Sequence, residues 1–155
     1  MRIAIVAVGR LGRGAEADLA RVYAERATAA GRVLGLGPVE IVEVEGRKPG
    51  REAEGAALLA AAPAGAHLIA CDERGTAWPS RRFAERIAAV RDQGVRQTTF
   101  LIGGADGLSE EARSAAAERL AFGPQTWPHA LVRVMLAEQV YRAVTILAGS
   151  PYHRD

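Results

Sequence analysis

Two stretches of this chain combine residue types that could do chemistry. The first is Gly103-Gly104, placed directly after the apolar run Thr98 to Ile102. If that run is a strand, the glycines stand at its carboxyl end, the edge where open α/β sheets bind ligands. Two missing Cβ atoms let backbone approach a bound molecule closely, although a glycine pair after a strand is also simply a turn. Gly107-Leu108-Ser109 then leads to a helix start, whose free backbone N–H groups face the same edge. The second stretch is the terminal Pro151-Tyr152-His153-Arg154, which follows a helix stop. It packs a stacking ring, a titratable imidazole and a phosphate-binding fork into four residues, a set suited to holding a nucleotide. The alternative for such a tail is a frayed terminus.

Other chemistries are poorly supplied. The three histidines, His67, His129 and His153, do not build a Ser/His/Asp or Cys/His arrangement, and only the last two are candidate site residues. Gly9, Gly12 and Gly14 are spaced G-x-x-G-x-G, which is not the dinucleotide fingerprint G-x-G-x-x-G, and no Walker lysine is present. The single cysteine, Cys71, has no second thiol for a disulfide or a zinc site, so no metal is expected.

The chain has 155 residues, of which 49% are hydrophobic, enough for one domain, residues 1–155, with a real core. Net charge is only +2, yet the pI near 9.1 and the clusters Arg10/Arg13, Arg47/Lys48/Arg51 and Arg81/Arg82 leave nucleic acid open as a partner. No apolar stretch approaches the roughly 18 residues of a membrane span. The opening Met1-Arg2-Ile3-Ala4-Ile5 reads as a strand without a signal-peptide cleavage site, so a soluble, cytoplasmic protein is expected.

Strands and helices alternate in the hydrophobic pattern, which predicts an α/β fold with a parallel sheet. Strands are expected at Ile3 to Val8, Val39 to Val44, His67 to Cys71 and Thr98 to Ile102, with a brief apolar piece at Leu120 to Phe122. Asp72-Glu73-Arg74-Gly75 reads as a polar turn. Helices are expected from Ala15 to about Ala30, with Leu19, Val22 and Tyr23 on the apolar face, and from about Arg51 to Ala62. Ser80 is expected to cap a third helix with Phe83, Ile87 and Val90 buried, and Ser109 a short fourth.

The last helix, about Ala130 to Ala148, is apolar nearly all round, with Glu138, Arg142 and Thr145 on one narrow stripe. A sheet covers one side of such a helix. A second subunit related by a two-fold axis is expected to cover another, the alternative being a helix sandwiched inside the monomer. Arg133 falls between Val140 and Val144 on the wheel with no acid one turn away, and a buried guanidinium requires an anion. That anion is either a carboxylate from a distant segment or subunit, or a phosphate or carboxylate of a ligand.

Several of these pieces together resemble a known family. Leu101-Ile102-Gly103-Gly104 with Gly107-Leu108-Ser109, Pro128 to Val134, Ala137 to Ala143 and Pro151-Tyr152-His153-Arg154 are similar to the RlmH-type pseudouridine N3-methyltransferases of bacterial ribosomal RNA. The resemblance spans essentially the whole chain. It implies a SPOUT-type parallel-sheet fold with helices on both faces and a C-terminal trefoil knot, a homodimer, S-adenosyl-L-methionine as methyl donor, and 23S ribosomal RNA of the large subunit as substrate. It also implies a donor pocket of Cys71, Gly103, Gly104, Gly123, Pro124, Gln125, Thr126, Trp127 and Pro128, gripped largely by backbone. His153 or His129 would assist the departing proton, with Glu138 a further choice. Arg154 and Arg133 would hold phosphate or ligand carboxylate, and Tyr152 would stack on a base. Two other readings keep the fold: a dimeric ribosome-binding module without the reaction, and a methyltransferase acting on transfer RNA.

Overall fold

The computed structural model describes residues 1–154. Five parallel strands form one sheet in the order β2-β1-β4-β3-β5: β1 Arg2–Val8, β2 Val39–Val44, β3 His67–Ala77, β4 Gln97–Ile102 and β5 Glu118–Ala121. The helices are α1 Ala15–Gly31, α2 Arg51–Ala60, α3 Ser80–Asp92, α4 Glu110–Ala115 and α5 His129–Leu147. Parallel strands need crossover connections, and the helices that make them cover both sheet faces.

Alternation along β1 generates two cores. Ile3, Ile5 and Ala7 point to the side of α1, α3 and α5, where they join Phe83, Ile87, Phe100, Leu136 and Val140. Ala4, Val6 and Val8 point to the side of α2 and α4, among Leu58, Leu101, Leu108 and Ala112. β1 is therefore buried on both faces, as its nearly continuous apolar run requires.

Some expectations need correction. The buried face of α1 is the small-residue stripe Ala20, Ala24 and Ala27, whereas Leu19 is 46% exposed. Alanines let α1 approach α5 closely, and the bulkier Tyr23 turns sideways to pack on Tyr141 with ring centroids 6.1 Å apart. The helix α5 lies against α1, α3 and the sheet, so the monomer covers more of it than the sheet alone would. Its last polar stripe is not open: Thr145 is buried and its hydroxyl donates to the Arg142 carbonyl at 2.7 Å.

The third strand does not end at Cys71. It bulges over residues 72–75 and pairs with β5 again at Thr76 and Ala77. A Cβ at Gly75 would lie 2.7 Å from the carbonyl carbon of Arg119, so only glycine lets the bulge sit against β5. Ser109 caps α4 as expected, accepting the Ala112 N–H at 3.2 Å. Ser80 does not cap α3; its hydroxyl donates to Gln139 Oε1 on α5 at 2.9 Å, tying the two helices together.

Contact between α2 and α4 depends on Gly55, where an added Cβ would fall 1.9 Å from Ser109 Oγ and 2.7 Å from its Cβ. Forcing atoms into a packed contact typically costs about 1–3 kcal/mol. Gly55→Ala is expected to lower the calorimetric Tm by several degrees; an unchanged Tm would mean that the two helices separate freely.

Candidate functional site at the carboxyl edge of the sheet

The carboxyl ends of β3 and β4 open into a cavity of about 740 Å³. Its walls include Cys71 and the bulge Asp72 to Arg74, the turn Gly103 to Leu108, Gly123, the segment Gln125 to Pro128, and His129 and Val132 on the first turn of α5. Every residue expected to hold the methyl donor lines this space except Pro124, which is exposed between two that do. Segments about 50 residues apart in the chain thus converge on one edge, where the sheet topology brings them.

The glycines work differently from the expectation. A Cβ on Gly103 would lie 2.5 Å from the Gly107 carbonyl carbon, and one on Gly104 would lie 2.9 Å from Glu54 Oε2. The space their missing side chains leave is thus filled by the protein itself. They allow a tight turn, closed by the Gly107 N–H donating to the Gly104 carbonyl at 3.0 Å, and that turn presents backbone to the cavity. Across the cavity, Gly123 adopts φ +101°, and the Trp127 indole N–H donates to the Phe122 carbonyl at 3.2 Å. This bond staples the ends of the loop together.

Two of the charged side chains lining the cavity, Asp72 and Arg113, pair with each other. Asp72 accepts Arg113 Nε at 2.5 Å and the Arg74 N–H at 2.9 Å. Burial alone would raise its carboxyl pKa, but these two donors outweigh burial and hold it below the usual range. Arg113 had drawn no notice in the sequence, because its partner lies 41 residues away. Burial, with Asp72 alongside, pushes the Cys71 thiol up to about 12, so it lines the cavity as a neutral group and not as a nucleophile.

Arg133 meets a carboxylate from a distant segment, one of the two partners foreseen for it. Its side chain is fully buried, and it donates to Glu43 Oε1 on β2 at 3.1 Å, to the Gly9 carbonyl at 2.9 Å and to the Val8 carbonyl. Glu43 Oε1 also accepts the Leu11 N–H at 2.8 Å. Burial lowers the Arg133 pKa, and Glu43 opposes that shift. Its role in the structure is to join α5, β1, β2 and the loop after β1.

The tail is folded back and not frayed through Arg154. Tyr152 packs on Tyr141 with centroids 4.7 Å apart, lies under the Arg142 guanidinium at 4.9 Å and donates its hydroxyl to Glu138 Oε1 at 3.0 Å. Burial, then Tyr23 and Glu138, push the Tyr152 phenol above its usual range, so it remains a neutral donor. Glu138 also pairs with Arg142 at 2.5 Å, and Arg142 Nη1 lies 3.3 Å from His153 Nδ1. Of the residues expected to act on substrate, only His129 borders the cavity. Glu138 lies nine residues further along α5, about 14 Å at the helical rise, and Tyr152, His153 and Arg142 gather around it.

The sequence model of the predicted SPOUT methyltransferases matches residues 1–153. The chain is also 68% identical over 155 residues to the ribosomal RNA large subunit methyltransferase H of Phenylobacterium zucineum (strain HLK1), with all of both chains covered. The chain belongs to the SPOUT methyltransferase family. A second relative of the same description, from Caulobacter sp. (strain K31), is 65% identical with the same full coverage. Among solved structures, a probable methyltransferase from Bordetella pertussis Tohama I superposes with a TM-score of 0.53 at 17% identity, covering 92% of this chain and 96% of its own. A probable methylase family protein from Haemophilus influenzae Rd KW20 gives 0.54 at 13% identity, covering 99% and 70%. These two share the fold of this chain at low sequence identity.

Two measurements test this geometry. Arg133→Met leaves two carbonyls and Glu43 without their donor and is expected to cost about 3–5 kcal/mol in urea unfolding, the range for breaking a buried pair. Glu43→Gln, which keeps the carbonyl bonds, is expected to cost distinctly less; equal losses would refute the carbonyl contribution. Because the Asp72 pKa is depressed, its stabilisation is complete above the ordinary carboxylate pKa of about 3.9 and is lost as pH falls through the lowered value. Asp72→Asn should therefore flatten the acid limb of the stability profile while lowering stability at neutral pH.

Proposed function

We propose that this SPOUT methyltransferase transfers a methyl group from S-adenosyl-L-methionine to N3 of a pseudouridine in 23S ribosomal RNA, as a cytoplasmic homodimer with a knotted C-terminal segment. The observation that carries the reading is the single cavity at the sheet edge that gathers the expected donor-binding residues. Its volume falls within the roughly 300–1,000 Å³ of small-molecule sites. The fit is favourable in kind as well: Gly103 to Leu108 and Gly123 to Pro128 offer main-chain groups, and Cys71 is neutral. The bound donor supplies an electrophilic methyl group on a sulfonium.

The chain's own residues then position the acceptor ring and receive its proton. His129 stands at the cavity on the first turn of α5. The His153, Tyr152 and Arg154 group sits too far along the same helix to serve that cavity, so we assign it to the cavity of a second copy. A two-fold axis makes such an exchange reciprocal. Leu19 on α1, Leu131 on α5 and Trp127 beside the cavity are 46%, 39% and 40% exposed, which supports such an exchange. Exposed apolar groups of this size beside a site favour a partner surface.

The reading is tested with labelled donor and ribosomes lacking the modification, mapping the product by mass spectrometry. Methyl at N3 of one pseudouridine is expected, and donor binding without methylated RNA would overturn it. Deleting residues 152–155 should leave donor affinity nearly unchanged and abolish transfer. Mixing that variant with a full-length Thr126→Trp variant, chosen for lost donor binding, should restore activity in the mixed dimer. A mixture that stays inactive despite forming dimers would place both halves of the site in one subunit.

A further inference from the structure

Two basic clusters that the donor cavity does not use meet on one rim. The loop after β1, residues 9–14, carries Arg10 and Arg13; the loop after β2, residues 45–50, carries Arg47 and Lys48, with Arg51 opening α2 directly behind it. Their strands are neighbours paired in parallel, Ile3 to Val8 against Val39 to Val44, so both loops emerge side by side at the carboxyl edge. The Gly9 N–H donates to the Val44 carbonyl at 2.8 Å, which joins them at the base. Four cations and one acid, Glu45, give these loops a net charge of +3, more than the +2 of the whole chain. The remainder of the protein therefore sums to −1, and the positive charge is concentrated here.

Little of that charge is spent internally. Arg10 reaches Glu45 at 3.3 Å and Arg51 reaches Glu52 at 3.5 Å, all of them well exposed, so water screens both pairs. Among the described residues, no ion pair includes Arg13, Arg47 or Lys48. The loops are nevertheless held in shape. Arg133 and Glu43 grip Gly9 and Leu11 from below. A Cβ on Gly46 would lie 2.8 Å from the Lys48 carbonyl oxygen and 3.1 Å from the carbonyl carbon of Ala53, so the second loop folds tightly onto the start of α2. Arg51 also lines the donor cavity, which makes the rim continuous with the site.

We propose that this rim is a docking track for the phosphate backbone of the RNA substrate, guiding the strand past the cavity through Arg13, Arg47 and Lys48. Fixed, unpaired cations on glycine-rich loops suit closely spaced phosphates, and their contribution is independent of base sequence. The inference rests on the RNA-methylating reading above, and it adds where the RNA lies: on the β2 side of the cavity, not the β5 side.

The test compares the wild type with the triple variant Arg13→Ala, Arg47→Ala, Lys48→Ala, all three residues lying outside the cavity. Binding to large ribosomal subunits is measured across a salt series, and donor affinity is measured by calorimetry. At low salt, RNA affinity is expected to fall at least tenfold. The slope of log affinity against log salt should become shallower by about 2, since each lost phosphate contact removes roughly 0.7–0.9. Donor affinity should stay within twofold. Unchanged RNA affinity and slope with intact donor binding would overturn the track while leaving the methylation reading in place. A wild type that binds donor but methylates no ribosomal RNA would overturn that reading instead. Arg82→Ala, Arg119→Ala, on the β5 side, serves as the control: an equal loss there would refute the assignment to the β2 side.

Discussion

The guanidinium of Arg133 is the contact on which the site's geometry depends. Among the described residues it is the largest fully buried side chain; its two terminal nitrogens donate to two carbonyls at the end of β1 and one carboxylate from β2, while its Nε has no hydrogen-bond partner. A buried cation is tolerated only where acceptors surround it. Here they belong to two separate segments, the end of β1 and β2, so the charge fixes the start of α5 against the sheet edge. The cavity loop runs directly into that helix, and the loop after β1 hangs from the same group. Both the cavity loop and the loop after β1 are therefore positioned by one side chain that does not itself line the cavity.

The site is built chiefly from loops whose shapes are set by self-contact. Gly103, Gly104 and Gly75 make room for backbone or side chains of the protein, and the indole of Trp127 closes its own loop. A binding surface made of main-chain groups has no side-chain rotamers to immobilise when a ligand enters, which reduces the ordering cost of association. Asp72 and Arg113 at the cavity wall neutralise each other, while Arg51, Glu73, Arg74 and Asp106 also line it.

Much of this was legible in the sequence. Apolar runs and their punctuation located four of the five strands, the fifth showing only as a brief apolar piece, and Ser109 marked its helix start. The motif around Gly103 and the segment 123–128 pointed to one pocket. Three things were not legible, each because it depends on contacts between distant segments. Alanine pattern does not announce itself as a buried face, so Leu19 was taken for core when Ala20, Ala24 and Ala27 fill that role. The bulge in β3 looked like a terminus, because re-pairing at Thr76 is decided by β5 more than 40 residues later. Arg133 demanded an anion, yet nothing local identified Glu43, 90 residues away, as that anion.

The position of α5 has a consequence for how the chain is made. This final helix fills the space between α1, α3 and the sheet, and it contributes Leu136, Ala137, Val140, Ala143 and Val144 to the larger core. Until it is in place, Ile3, Ile5, Phe83 and Ile87 have only α1 and α3 to cover them on that side. A nascent chain emerging N-terminus first can pair its central strands early but carries a partly covered apolar face until α5 has left the ribosome. Completion of the core thus waits for a helix made after all five strands, and the interval before it is when the protein is most exposed to aggregation.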